Sequence, residues 1–481
     1  MKRILTGEER DTAFKKFFNT SYIIPVILMG IFTFLFLGTE YSYVNMISPQ
    51  VSEQKTVLAQ NYALGVSTIG FLLYPLYCRF LKKRRRTVVT LILAAAAVLC
   101  ILMMQQQLSY GVTLISGLVL FWFLGLFGSA VYYNSVRMME NDRYLARLAG
   151  ISYMIGILLQ FANNNIIRTS LGEALILSAF LIILVFLLVK AEQEHSDSVK
   201  PNEKEAVVGN AETDSRTKNS AGILLILLVV LMTCVFSTLD NAVTLVHAAG
   251  AMDIGQWPRI LFACSGLAAG FVFDIGKRKY MSLIMYCVMM LSTICIFVLN
   301  FGRPFLIGLI VFYMSAGFFS VFFTTGFMEI SQHMRIPELW AGMGRAVNNI
   351  TAAVIANASL ALLSSENSMI IIILVLVLFV AVSIVMAAYT VRAKYDPEEQ
   401  RESLNGDLKR RDKLQEFSES YSFTDREKEV FDCLINSEDS IQTIAESLYI
   451  SRRTLERYIT SIYGKTGVKS RVGLVQLYNE K

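Results

Sequence analysis

The sequence predicts an all-α protein in two parts: a polytopic membrane helix bundle of six plus six spans, then a small water-soluble domain of four helices. Three observations carry this. Twelve mostly apolar runs lie between residues 21 and 391, each near the roughly 20 residues that a helix needs to cross a bilayer. A polar stretch, 191–219, divides them into two sets of six, and beyond Arg392 the chain turns polar and charged. Composition agrees. The 481 residues are 54% hydrophobic and 17% charged, where a soluble protein carries about 25% charged residues.

In chain order, residues 1–20 are too charged, and run too long before the first apolar stretch, to be a cleaved signal peptide. The first six-span half covers 21–190, with spans expected near 21–44, 61–80, 87–106, 109–134, 146–167 and 172–190. Residues 191–219, rich in Glu, Lys, Ser, Asp and Asn, are expected to be a disordered cytoplasmic linker. The second half covers 220–391, with spans near 220–246, 258–275, 280–300, 303–330, 341–363 and 368–391. The seven cysteines have no metal-ligand spacing and read as small core residues.

Lysine and arginine set the orientation. With the N-terminus inside, the cytoplasmic loops carry KRILTGEER, RFLKKRRR, VRMMENDRYLAR, GKRK and the loop with Arg335 and Arg345; the outer loops carry little beyond Lys55, Arg168, Arg259 and Arg303. An even number of spans then leaves both termini cytoplasmic, at a bacterial inner membrane.

Residues 392–420 read as a tether, and 421–481 as a compact domain. Thr424-Asp-Arg-Glu427 has the form of a capping box, opening a helix with Val430, Phe431, Leu434 and Ile435 on one face. Ser440 is placed to cap a second helix with Ile441, Ile444, Ala445 and Leu448 inward; Ser451 is placed to cap a third with Leu455, Ile459 and Ile462 inward. Gly467 ends the third helix, and Arg471 to Tyr478 make a fourth. A helix, short turn and second helix with a basic N-terminal end is a helix-turn-helix layout suited to a major groove. From Tyr421 to Ser447 acids outnumber bases by seven to two; from Leu448 to Lys481 bases outnumber acids by seven to two. Such a one-sided positive face suits a phosphate backbone.

The string Phe423-Thr424-Asp-Arg-Glu427, Ile444-Ala445, Leu448, Ile450-Ser451, Thr454-Leu455, Ile462-Tyr463-Gly-Lys465, Gly467-Val468-Lys469-Ser470-Arg471 resembles the LuxR-type helix-turn-helix family over about sixty residues. The resemblance implies double-stranded DNA as partner, with Ser451, Arg452, Arg453, Thr454, Arg457, Lys465, Lys469 and Arg471 as candidate DNA-binding residues. Lys465 and the Ser470-Arg471 pair are expected to hold phosphates or brace the fold. It also implies a homodimer through the fourth helix, with Val472, Leu474, Val475 and Tyr478 as apolar candidates. Two positions depart from the family: Glu456 stands where a lysine is usual and Tyr458 where a histidine is usual. Arg457 is the nearest replacement for the lost positive contact.

Six plus six spans with a central linker resemble the major facilitator superfamily of transporters. The stretch Gly270 to Lys279 is similar to that family's loop signature; the first-half counterpart keeps the basic run but has Arg79 where an acid is expected. A parallel repeat would relate the two halves. In such a fold the first, fourth, seventh and tenth spans line a cavity. Polar residues within spans are costly and tend to face one. Glu40, Tyr41, Trp122, Asn163, Asp240, Asn241, Tyr313 and Asn349 are the candidate ligand-binding residues. Carboxylates beside aromatics suit a small hydroxylated aromatic or an amine. No metal site, cofactor or enzymatic activity is expected: the chain has no phosphate-cradling glycine loop, metal-ligand cluster or nucleophile–base pair. The two functions that fit are a membrane-embedded one-component transcription regulator and a secondary transporter with an appended DNA-binding domain.

Overall fold

A computed structural model describes residues 20–139, 142–167, 169–198, 211–300, 305–365, 368–393, 413–436, 440–448 and 450–480. The chain divides into two compact units, Met1–Ala393 and Lys394–Lys481. Both are helical, and no strand occurs among the described residues.

Among the described residues the first unit contains twelve long helices: α1 Thr20–Ile47, α2 Glu53–Phe80, α3 Lys83–Gln105, α4 Tyr110–Met138, α5 Leu145–Ile166, α6 Ser170–Ser198, α7 Ala211–Ala248, α8 Pro258–Phe273, α9 Met281–Asn300, α10 Phe305–Ser331, α11 Met343–Leu363 and α12 Ser368–Ala393. Ten of them have described stretches long and apolar enough to span a bilayer; α8 and the described part of α9 are shorter apolar helices. Exposed Val88, Leu91, Ile92 and Leu99 on α3, and Ile373, Val377, Val380 and Ile384 on α12, present branched aliphatic surface. That much outward apolar surface suits acyl chains better than water. Cys264 and Cys287 are exposed too, against the expectation of a core position.

The helices pair in a repeating order. α1 packs on α4, α5 and α6, and α7 packs on α10, α11 and α12; α2 lies on α4 as α8 lies on α10; α3 lies on α4 and α6 as α9 lies on α10 and α12. Raising each index by six converts one half into the other, as a parallel repeat requires. The halves meet along α5–α8 and α2–α11, themselves related by the same shift. The α5–α8 seam is a backbone-to-backbone contact. A Cβ on Gly150 would lie 2.6 Å from the Gly266 carbonyl oxygen, and one on Gly270 would lie 2.7 Å from that of Ala146. Small residues permit this approach, which lets dispersion act where no hydrophobic drive separates helix from lipid.

The same seam explains the loop after α8. The first turn of α5 has no side-chain cap from its own Tyr144. Asp274 supplies one across the seam, accepting from the amides of Ala146 at 3.1 Å and Arg147 at 2.9 Å. Its carboxylate also lies 3.6 Å from Arg278, which bonds Glu329 of α10 at 2.8 Å. Gly276, Lys277 and Arg278 all take positive φ, 63°, 54° and 65°. Two of these are not glycine, a conformation that the Arg278 ion pairs must hold in place. Replacing Asp274 with alanine removes a cap and leaves the guanidiniums of Arg147, 3.7 Å from its carboxylate, and Arg278 without their shared anion. It should cost about 2–4 kcal/mol, read as a Tm lowered by several degrees in the detergent-solubilised chain; Asp274→Asn should lose less.

Two expectations about connections change. The linker expected over 191–219 is helical at both ends, since α6 continues to Ser198 and α7 begins at Ala211; residues 199–210, like the N-terminal segment 1–19, lie outside the described residues. The tether expected over 392–420 is also shorter. α12 runs to Ala393, residues 394–412 lie outside the described residues, and 413–420 form a helix, α13, belonging to the second unit. Phe417 of α13 is 3% exposed and stacks on Phe431 at 5.0 Å with planes 2° apart. One aromatic in a polar run gave no periodicity to read; its burial is decided by the domain that receives it.

The second unit adds α14 Asp425–Asn436, α15 Ile441–Ser447, α16 Arg452–Thr466 and α17 Arg471–Glu480. Its core joins Phe417, Phe423, Val430, Phe431, Leu434, Ile444, Ala445, Leu455, Ile459, Ile462, Leu474 and Tyr478. Ile441, expected inward, is 38% exposed, because the first turn of α15 projects past the core.

Candidate functional site

Three caps position the helix-turn-helix. In α14 the capping box is closed: the Thr424 amide donates to Glu427 Oε2 at 2.7 Å and the Glu427 amide to Thr424 Oγ1 at 3.4 Å. Ser440 and Ser451 each accept from the amide three residues on, at 3.2 Å, opening α15 and α16. The turn between them closes with the Ile450 amide donating to the Ala445 carbonyl at 3.0 Å; Tyr449 within it lies outside the described residues. Gly467, at φ 75°, ends α16 in the left-handed region that favours glycine.

Leu455, Ile459 and Ile462 bury one face of α16, while Arg452 and Arg453 in its first turn, Arg457 one turn on and Ser451 at its tip are exposed. Arg452 Nε lies 2.9 Å from Glu456 Oε1, and the Arg457 guanidinium sits 5.8 Å from the Tyr458 ring centre. The two departures from the family pattern therefore flank the arginines. Thr454 is half-buried, with its amide and hydroxyl both bonded to Ser451 Oγ, and Lys469 is exposed.

Two of the eight expected DNA contacts are tied to residues more than thirty positions away in the domain. Lys465 Nζ bonds Glu427 Oε2 at 2.7 Å and the Ser422 carbonyl at 2.8 Å. Arg471 Nε donates to the Leu434 carbonyl at 2.8 Å. Of the alternatives left open by the sequence, the geometry uses both as braces. Glu427 is the hub: it also accepts from Ser461 Oγ at 2.6 Å. Burial raises its carboxyl, but the bonds from Lys465, Ser461 and Thr424 outweigh that and bring it down to about 2. The expected dimer patch shrinks likewise. Leu474 and Tyr478 are buried in the core, leaving Val472, 75% exposed, and half-buried Val475.

Residues 421–478 match the family model described as bacterial regulatory proteins, luxR family. They form a luxR-type helix-turn-helix domain. No curated protein matches the sequence. Among solved structures, an auto-inhibited POT family peptide transporter aligns over 79% of this chain and 97% of its own at 10% identity, with a TM-score of 0.49. The nucleoside transporter NupG aligns over 77% and 98% at 14% identity, TM-score 0.48. The E. coli fucose:proton symporter FucP aligns over 78% and 99% at 15% identity, TM-score 0.44.

Apart from the luxR-type domain, the first unit holds a cavity of about 130 Å³, partly open to solvent. Four of the eight residues expected to bind a ligand line it: Glu40 on α1, Asp240 on α7, Tyr313 on α10 and Asn349 on α11. Glu40 accepts from Gln60 Nε2 at 2.6 Å, and Asn349 donates to Ser67 Oγ at 2.9 Å. Phe236 and Phe319, also in the wall, stack at 4.6 Å with planes 13° apart.

The other four are not in the wall. Tyr41 donates to Asp253 at 2.9 Å and stacks on His247. Asn241 is buried between helices, accepting from Asn61 at 2.8 Å and donating to Ser359 at 3.0 Å. Asn163 is buried on α5. Trp122 packs beside Phe123 on α4. The expectation that the fourth span lines the cavity is corrected, for α4 contributes no residue to the wall. Phe36 of α1 is in the wall and stands edge-on to Phe121 of α4 at 5.4 Å, so its ring screens that helix. Helices α2, α5, α8 and α11 contribute instead, through Gln60, Tyr153, Arg259 and Arg345 among others.

The two arginines were missed for a simple reason. Each sits within the first three residues of its helix, α8 or α11, where a charge count assigns it to a loop. Yet Arg259 is 9% and Arg345 8% exposed. The signal available was position: each falls inside a stretch expected to span, 258–275 or 341–363.

Proposed function

We propose that the chain is a membrane-embedded one-component transcription regulator. A small molecule binds the cavity of the twelve-helix unit and shifts its packing states, and the shift changes the DNA binding of the luxR-type domain, which acts as a homodimer on the cytoplasmic side of an inner membrane. The observation that carries this reading is the presence, on one chain, of a basic recognition helix and a bundle whose cavity is walled by charged and aromatic side chains. Glu40, Asp240, Tyr313 and Asn349 are the ligand contacts; Ser451, Arg452, Arg453, Thr454, Arg457 and Lys469 are the DNA contacts. A ligand can shift such an equilibrium only through different affinity for the two states. Couplings of this kind run to about 1–3 kcal/mol.

The test uses the full chain in lipid nanodiscs and a fluorescent duplex from its own promoter region. Across a panel of small hydroxylated aromatics and amines, at least one should change the apparent Kd for DNA by about fivefold or more. DNA affinity indifferent to every compound, together with gradient-driven accumulation of one of them in proteoliposomes, would establish the transporter reading instead.

A further inference from the structure

The cavity has two chemically different ends. α7 and α8 are joined on one side of the bundle and α10 and α11 on the other, because successive spans alternate in direction. Arg259, at the start of α8, and Arg345, at the start of α11, therefore approach the cavity from opposite sides. At the first end Arg259 shares the wall with Asp240 and Tyr313, and Glu40 lies within electrostatic reach of both arginines. At the second, Arg345 stands among rings. Its guanidinium carbon lies 5.4 Å from the Phe36 ring centre and 5.2 Å from that of Phe323, with the phenols of Tyr132 and Tyr153 beside it.

Arg345 is more than nine-tenths buried and forms no ion pair with any described carboxylate. Its Nε is buried without a hydrogen-bond partner. Ring faces attract a cation but cannot accept its in-plane N–H groups in the forked geometry that a carboxylate matches. A buried cation whose Nε has no acceptor, with two phenol hydroxyls beside it and no carboxylate in ion-pair contact, is costly inside a membrane bundle, and such residues mark ligand sites.

We propose that the ligand carries an anionic group, a carboxylate on a small aromatic body, and that this group docks on Arg345. The aromatic body then lies along the stacked Phe236 and Phe319, with any hydroxyl or amine substituent directed to Glu40 and Asp240. The inference rests on the cavity being a ligand site and narrows the ligand class. A phenol or an amine alone would leave the Arg345 end unmatched.

Three compounds sharing one ring and differing in the end group decide it: 4-hydroxyphenylacetate, tyramine and 4-ethylphenol, titrated into the purified full chain by calorimetry. The acid should bind at least tenfold tighter than the amine and the neutral phenol. Arg345→Gln should remove that preference while leaving the weak binding of 4-ethylphenol in place, and Arg345→Lys should restore part of it. Equal binding of all three by the unaltered chain, or an acid preference that survives Arg345→Gln, overturns the inference and leaves the cavity reading standing. Binding of none of the three overturns both. The comparison on the unaltered chain needs no variant to fold.

Discussion

Replacing Arg452, Arg453 and Arg457 together with alanine should weaken binding of the chain to promoter DNA by about a hundredfold or more at about 0.15 M salt. All three are exposed while Leu455, Ile459 and Ile462 are buried, so their removal takes nothing from the core. A base-reading arginine is worth about 1–3 kcal/mol, and each lost phosphate contact lowers the slope of log K against log salt by about one. Fluorescence anisotropy at several salt concentrations separates the two roles. A uniform loss across sequences with a flatter slope marks phosphate contacts; a loss confined to the cognate duplex marks base contacts. Glu456 pulls the other way. It holds Arg452 at 2.9 Å and adds a negative charge to the same surface, so Glu456→Ala should tighten DNA binding a few-fold. If the triple variant binds as the unaltered chain does, α16 is not the recognition helix.

Glu427→Ala should lower the thermal midpoint of the helix-turn-helix domain, followed by circular dichroism, by about 12 °C or more. The substitution opens the capping box of α14 and releases Ser461. It also leaves Lys465, whose ammonium is bonded at 2.7 Å, without its carboxylate. Loss of a cap and of one member of a part-buried ion pair together cost about 3 kcal/mol. A domain of this size has only about 3–10 kcal/mol in total.

The same carboxylate makes stability depend on pH. Its folded value, about 2, lies below the ordinary glutamate value near 4.5. Its contribution is therefore fully present above about pH 5 and is lost as the pH falls toward 2, a loss of about 2–3 kcal/mol. Urea unfolding of residues 413–481, followed by circular dichroism between pH 7 and pH 2.5, should show that decline. Glu427→Gln should flatten it. An unchanged decline in the glutamine variant would assign the acid sensitivity to other carboxylates.

The one-dimensional pattern determined a good deal by itself. The number and order of the long helices of the first unit followed from the apolar runs, because a bilayer and a hydrogen-bonded backbone permit few other solutions. The three caps and the inward face of α16 followed from spacing, because Thr424, Glu427, Ser440, Ser451 and Gly467 act on residues within one turn of themselves. Tertiary structure alone decided the rest. Which spans wall the cavity depends on rings such as Phe36 standing between α4 and the interior. For Lys465 and Arg471 the sequence left phosphate contact and brace both open; they brace the domain because their partners, Glu427 and Leu434, 38 and 37 residues away, are brought to them by the fold. Arg259 and Arg345 read as loop charges along the chain and become cavity walls in space. Local chemistry is written in neighbouring residues, whereas the partner of a buried charge is chosen by packing across the whole bundle.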